Sequence, residues 1–184
     1  MIEKLFEFQR GLMEKLAPVE TELGYTPPPV PLDFAQRAHQ DWFRLMSWYL
    51  TEEIVEALTA TDDNRPEELA DCLHFAIELC ILAGVTGADM KDRIHLAEQL
   101  NFFEEHPWTY TLADVQVDLG LAANLLKAKH WKRNPQPTDP NRVKEHLSNM
   151  LYKLIQVMKG QGICYHQEYM KKHAENENRI KTHY

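Results

Sequence analysis

The chain has 184 residues, 44% of them hydrophobic and 26% charged, with a formal net charge of −8. That length and balance describe a globular domain able to bury its own core, and the acidic excess argues against a stable nucleic-acid binder, which needs a basic footprint. Three cysteines without a CxxC pair argue against a disulfide framework; they are expected as inert buried thiols in a cytoplasmic protein.

The first segment, MIEKLFEFQRGLMEKL, carries acids and lacks the long apolar centre of a signal peptide. It reads as a helix over about Met1–Leu16, with Leu5, Phe8, Leu12 and Leu16 as an apolar stripe. TPPPVP, ending at Pro31, is a stiff connector. A long helix is expected over about Asp33–Ala60, with Trp42, Leu45, Met46, Tyr49 and Leu50 on one side. Asp62, Asp63 and Asn64 form a polar turn, and Pro66 suits a first helical turn. The third helix runs over about Pro66–Ala83, with Gly84 and Gly87 marking its end. A shorter helix follows near Met90–Phe103, then the interruption His106–Pro107, then helices over about Leu112–Lys132 and Asn141–Lys159, separated by PQPTDP. The stretch Gln167–Tyr184 is polar but helix-compatible. No run is long and apolar enough to cross a bilayer, so no membrane association is expected. The expectation is a single all-α helical bundle over 1–184.

A faint internal repeat accompanies this pattern. The helical hairpin of residues 42–83 is echoed by residues 113–159, where ELADCLHFAIEL is answered by EHLSNMLYKLIQ. The acid-bearing half spans about 33–105 and the degenerate second half about 110–184. Asn124, Lys127 and Ser148 stand in the second copy where the first has acids. Duplication with loss of acids from one copy is one reading; a generic likeness between helical hairpins is the other.

The chemistry concentrates in SWYLTEEIVEAL and RPEELADCLHF. Glu53 and Glu56 are three apart and share a helix face, as do Glu68 and Asp71. A short turn makes the two helices antiparallel neighbours, so four carboxylates converge. Repulsion and desolvation make such a cluster costly without a counter-ion. A hard divalent cation resolves the conflict, because Mg²⁺ takes oxygen ligands and keeps positions for water and phosphate. A single ExxE is usually a wet helix face; ExxE and ExxD on consecutive helices are more specific.

Glu52-Glu53-x-x-Glu56 followed by Glu68-x-x-Asp71 resembles the all-α nucleoside triphosphate pyrophosphohydrolases, the MazG-like superfamily, and within it the dimeric dUTP and dCTP pyrophosphatases. ELADCLHF, with His74 and Phe75 after the ExxD, is similar to that group. So is the basic-tryptophan segment AKHWKRNP, which contains Lys129 and Lys132. So too is YMKKHAENENRIKTHY, with Lys172, Asn176, Arg179 and Tyr184. Members selective for dUTP commonly carry Gln and, four residues on, Asn in the first helix. This chain has Gln9 and then Met13, and Glu177 and Asn178 replace apolar residues of the closing motif.

The resemblance implies hydrolysis of a deoxynucleoside triphosphate, dUTP or dCTP by default, to monophosphate and pyrophosphate. Glu53, Glu56, Glu68 and Asp71 would hold one or two Mg²⁺ ions, with Mn²⁺ as a substitute, and Glu52 would assist as a water-orienting base. Lys172, Asn176, Arg179 and Lys132 would bind phosphates, and Gln9 the base. A homodimer or higher homo-oligomer is implied. Among structural readings, His74 is a core histidine and the tryptophans are packing residues. Two other classes remain open. One is a catalytically inactive helical nucleotide-binding or regulatory module. The other is a di-metal oxidoreductase, which would use Glu-x-x-His pairs that this pattern lacks.

Overall fold

The computed structural model describes residues 1–99, 107–129, 131, 133 and 137–182. Among them the fold is an all-α bundle of seven helices: α1 (Ile2–Glu22), α2 (Arg37–Thr59), α3 (Arg65–Leu82), α4 (Gly87–Gln99), α5 (Trp108–Leu125), α6 (Pro140–Gly160) and α7 (Tyr165–Thr182). No helix is long and apolar enough to cross a membrane. α3 is the central element, packed against α1, α2, α6 and α7. Its apolar residues recur on nearly every side: Leu69, Leu73, Ile77, Leu79 and Ile81 are all fully buried.

Local signals explain three of the helix ends. Asp139 caps α6, its carboxylate accepting from the Asn141 and Arg142 amides, and Pro140 opens the helix where a missing N–H costs nothing. The Thr86 amide and hydroxyl donate to Asp89 Oδ2 while the Asp89 amide donates to Thr86 Oγ1, a reciprocal cap that starts α4. α3 stops at Gly84, whose φ of +79° lets the Val85 amide return to the Cys80 carbonyl. Gly87 has a different role. A Cβ there would lie 2.5 Å from Glu3 Cα, so its bare backbone is what lets α1 and α4 touch.

Several boundaries differ from the expected ones. α1 continues through Pro18 to Glu22; the carbonyl freed by the proline belongs to the exposed Glu14, where water can serve it. α2 begins four residues late, because Asp33 is spent on a turn: it accepts from the Ala35 amide and Gln36 Nε2, and its own amide donates to His39 Nδ1. α5 starts directly after Pro107 and ends at Leu125, well short of Lys132. Long-range bonds take over the backbone there. The Ala128 amide donates to Gln40 Oε1 at 2.8 Å, the Leu126 carbonyl accepts from Arg44, and the Lys129 carbonyl accepts from Arg37.

The buried face of α1 is Ile2, Leu5, Phe6, Gln9 and Leu12, so Phe8 of the expected stripe instead reaches the surface. Cys72 and Cys80 are buried, but Cys164 is exposed, contrary to the expectation of three inner thiols. Hairpins α2–α3 and α5–α6 both exist; their common descent stays a proposal. α5 and α6 enclose Asp118, 3.1 Å from His146 Nδ1 and 2.8 Å from Lys153 Nζ.

Candidate functional site

α2 and α3 are adjacent, and the ExxE and ExxD faces turn toward each other. Carboxylate oxygens of Glu53, Glu56 and Glu68 all lie within 4.8 Å of one another. Oxygen ligands about 2.1 Å from one Mg²⁺ sit roughly 3–4.2 Å apart, so rotamer adjustment alone would bring these three onto one hard cation. Glu53 and Glu68 are half-buried and Glu56 is exposed. Glu52 is exposed beside them, in a surface depression it shares with Trp48, Glu53 and Glu56.

Asp71 stands apart from that trio in its partners. Lys172 Nζ of α7 lies 2.7 Å from Asp71 Oδ2 and 3.0 Å from Glu67 Oε1. The lysine is itself buried. Burial works against its charge, but the bonds to Asp71 and Glu67 prevail and hold its pKa above the ordinary value. The acids shift the other way. Burial, followed by the charges of Asp71, Glu56 and Glu68, pushes Glu53 up to about 7. Burial, then Glu56 and Asp71, raises Glu68, and burial raises Asp71 against the pull of Lys172. The cluster is therefore short of positive charge as it stands, one lysine facing several carboxylates.

A cavity of about 240 Å³ opens beside these residues, and Glu53, Asp71, Lys172, Asn176, Arg179 and Gln9 are on its walls. The expected phosphate-binding residues of α7 thus face two of the expected acids. Arg179 is exposed and Asn176 half-buried. Lys132 and Tyr184 lie outside the described residues. α7 is held in place by Tyr169, which is fully buried and stacks on His74 at 3.9 Å between ring centroids. An ion pair between Lys15 and Glu177 ties α7 to α1.

Gln9 is buried and its amide is engaged on both ends. Oε1 accepts from His74 Nδ1 at 2.8 Å and from the Tyr169 hydroxyl at 2.9 Å, and Nε2 donates to Glu78 Oε2 at 3.1 Å. His74 is a core histidine, as expected: burial pushes its pKa down to about 3, so the ring is neutral, with Nε2 3.3 Å from the Tyr169 carbonyl.

Glu67 and Glu78 were not picked out by sequence reasoning. Glu67 belongs to the same EE pair as Glu68, and only the position of α7 shows that it meets Lys172. Glu78 had a signal: it follows Asp71 by seven residues and His74 by four, the spacing of one helical face.

Comparison of the chain with protein-family models, with curated proteins and with solved structures finds no match.

Proposed function

We propose that this chain is a Mg²⁺-dependent nucleoside triphosphate pyrophosphohydrolase of the MazG-like kind, cleaving a deoxynucleoside triphosphate to the monophosphate and pyrophosphate. The observation that carries the reading is the convergence of Glu53, Glu56 and Glu68 within 4.8 Å, next to a cavity that also holds Asp71, Lys172, Asn176 and Arg179. The likeness of EExxE, ExxD and the Lys–Asn–Arg helix to that superfamily supports it from the sequence.

Mg²⁺ would supply charge neutralisation and Lewis acidity at the triphosphate oxygens. The protein does the rest. Glu53, Glu56 and Glu68 present oxygens to the cation, and Asp71, oriented by Lys172, completes the acidic floor. The exposed Glu52 takes a proton from the attacking water, whose oxygen bonds to phosphorus as the bond to the leaving pyrophosphate oxygen breaks. Arg179 and Asn176 donate to non-bridging phosphate oxygens, and Lys172 adds its fixed positive charge, the electrostatic stabilisation that phosphoryl transfer relies on.

The test is a panel of deoxy- and ribonucleoside triphosphates incubated with Mg²⁺, the products resolved by chromatography. Monophosphate and pyrophosphate in equal amounts are expected. Release of orthophosphate, or no turnover of any member, defeats the reading.

A further inference from the structure

A second and larger cavity, about 510 Å³, adjoins the first. It lies between α1, the proline connector at Pro27 and Pro28, α2 and α3. Leu16, Phe75 and Glu78 line both cavities, so the two are neighbouring compartments with a common wall. The volume is that of a small-ligand site. Trp42, Tyr49 and Phe75 supply aromatic surface, the last two with ring centroids 5.8 Å apart. Met13 and Met46 add polarisable apolar surface of the kind that packs on a flat ring. A triphosphate whose phosphates occupy the small compartment would carry its base into this one.

The polar character of the large compartment is one-sided. Its half-buried ionisable side chains include Glu20 and Glu78, whereas Arg10 and Glu14 are exposed at its edge. Among the described residues Glu78 receives one side-chain donor, Gln9 Nε2. The remaining carboxylate acceptor capacity is left for a ligand. The orientation is fixed from behind. His74 and Tyr169 both donate to Gln9 Oε1, which turns the amide N–H groups toward Glu78 and holds that carboxylate at the wall.

We propose that this larger cavity is the base subsite, and that the Glu78 carboxylate, positioned by Gln9, selects bases that present an exocyclic amino group over those with a keto oxygen in the same place. The inference rests on the hydrolase reading above and gives its substrate a chemical class. An ionised carboxylate only accepts hydrogen bonds. It pairs with the amino group of cytosine or adenine. Against the keto oxygen of uracil or thymine it sets acceptor on acceptor, and one of two buried polar groups goes unsatisfied. Sites that hydrogen-bond a substrate group reject analogues lacking it by large factors. Gln9 is thereby a positioning residue for Glu78.

The experiment compares kcat/KM for dCTP, dATP, dUTP and dTTP with Mg²⁺ at about pH 8.5, so that Glu78, which burial pushes up to about 7, is ionised. A preference of about 100-fold or more for dCTP or dATP over both dUTP and dTTP is expected; the dCTP and dATP arms tell a cytosine-type from an adenine-type subsite. Glu78→Gln keeps the size and still accepts from Gln9, but its amide can also donate. That variant is expected to lower the amino-to-keto ratio at least tenfold while Mg²⁺ dependence persists. Equal or better turnover of dUTP and dTTP by the wild type overturns the inference whether or not the variant folds, as does an unchanged ratio in Glu78→Gln. Equilibrium dialysis of deoxycytidine, deoxyadenosine and deoxyuridine separates this from the hydrolase reading. Amino-base preference in binding with no triphosphate turnover sinks the hydrolase and keeps the subsite; turnover without discrimination does the reverse.

Discussion

Glu53 carries two loads that pull in opposite directions. As the proposed cation ligand it must be ionised, yet its surroundings push its pKa from 4.5 to about 7. Between those values the folded chain binds more protons than the unfolded one. The stability Glu53 contributes is therefore fully present below the unfolded value and is lost as pH rises through about 7. Cation binding opposes that loss, since protons and metal compete for the same oxygens. Addition of Mg²⁺ at about ten times its Kd is worth about 1.4 kcal/mol, roughly 3–5 °C in melting temperature for a chain of this size. Calorimetry is expected to show that gain at pH 8 and little of it at pH 5.5. Glu53→Gln should abolish turnover and the Mg²⁺ gain, yet leave the metal-free protein no less stable at pH 8, because a repelled carboxylate has been removed. A large fall in metal-free stability at pH 8 would mean that Glu53 is structural.

Lys172 and Arg179 contribute unequally for reasons visible in their burial. Lys172 is buried against Asp71, and removing one partner of such a pair strands the other. Lys172→Met is expected to cost about 2–3 kcal/mol of stability as well as activity. Arg179 is exposed on the cavity edge. Arg179→Ala should raise KM for the triphosphate about tenfold and move stability by less than about 0.5 kcal/mol, as surface substitutions do. Chemical denaturation beside steady-state kinetics distinguishes the two; identical losses in both variants would contradict the assignment.

At the level of elements, the acids converge because α2 and α3 are joined by a short turn, whereas the proposed phosphate-binding face arrives on α7, Lys172 meeting Glu67 across 105 positions. The contact of α1 with α4 matters to both, since α1 carries Gln9 and the wall of the larger cavity. Gly87 is the point of closest approach, with backbone and no flexible side chain opposite it. Gly87→Ala is expected to destabilise the fold by about 1–3 kcal/mol, the usual cost of overpacking, measured by urea unfolding. An unchanged midpoint would show that α1 can shift freely, and would weaken the claim that it is a rigid wall. Six of the helices were legible in the sequence, and the stretch that forms α7 was legible only as helix-compatible. The ends of α2 and α5 were not: Asp33 is taken by a local turn with Ala35, Gln36 and His39, and the carbonyls of Leu126 and Lys129 bond to Arg44 and Arg37, whose proximity arises only when the chain is folded.

At the scale of the whole molecule, two neighbouring helices carry exposed apolar side chains among the described residues. Trp48, Val55 and Leu58 project from α2, and Tyr110, Val117 and Leu121 from α5, which packs beside it. Residues seven apart share a helix face, so each set forms a row, and contiguous apolar surface of this kind marks association sites. The homodimer that the family resemblance implies would use this surface, and Trp48 and Val55 border the same depression as Glu52, Glu53 and Glu56. Sedimentation at micromolar concentration is expected to give a dimer, and the double variant Val117→Glu with Leu121→Glu a folded monomer. A monomeric wild type would remove the dimer from the proposal.

What the sequence determined by itself was the local and the periodic: helix class, the proline at the start of α3 and the glycine at its end, and the meeting of Glu53 and Glu56 with Glu68, which follows from 3.6 residues per turn and one short connection. What only the tertiary structure decided was everything that depends on distant segments meeting. Gln9 reaches Glu78 across 69 positions and Tyr169 across 160, and no period in the chain encodes that encounter. The same packing set the pKa values, because desolvation and neighbouring charge exist only once the helices close around the acids. Residue types supplied the chemistry; the exclusion of water around them, with neighbouring charge, pushed Glu53 and Glu78 up to about 7.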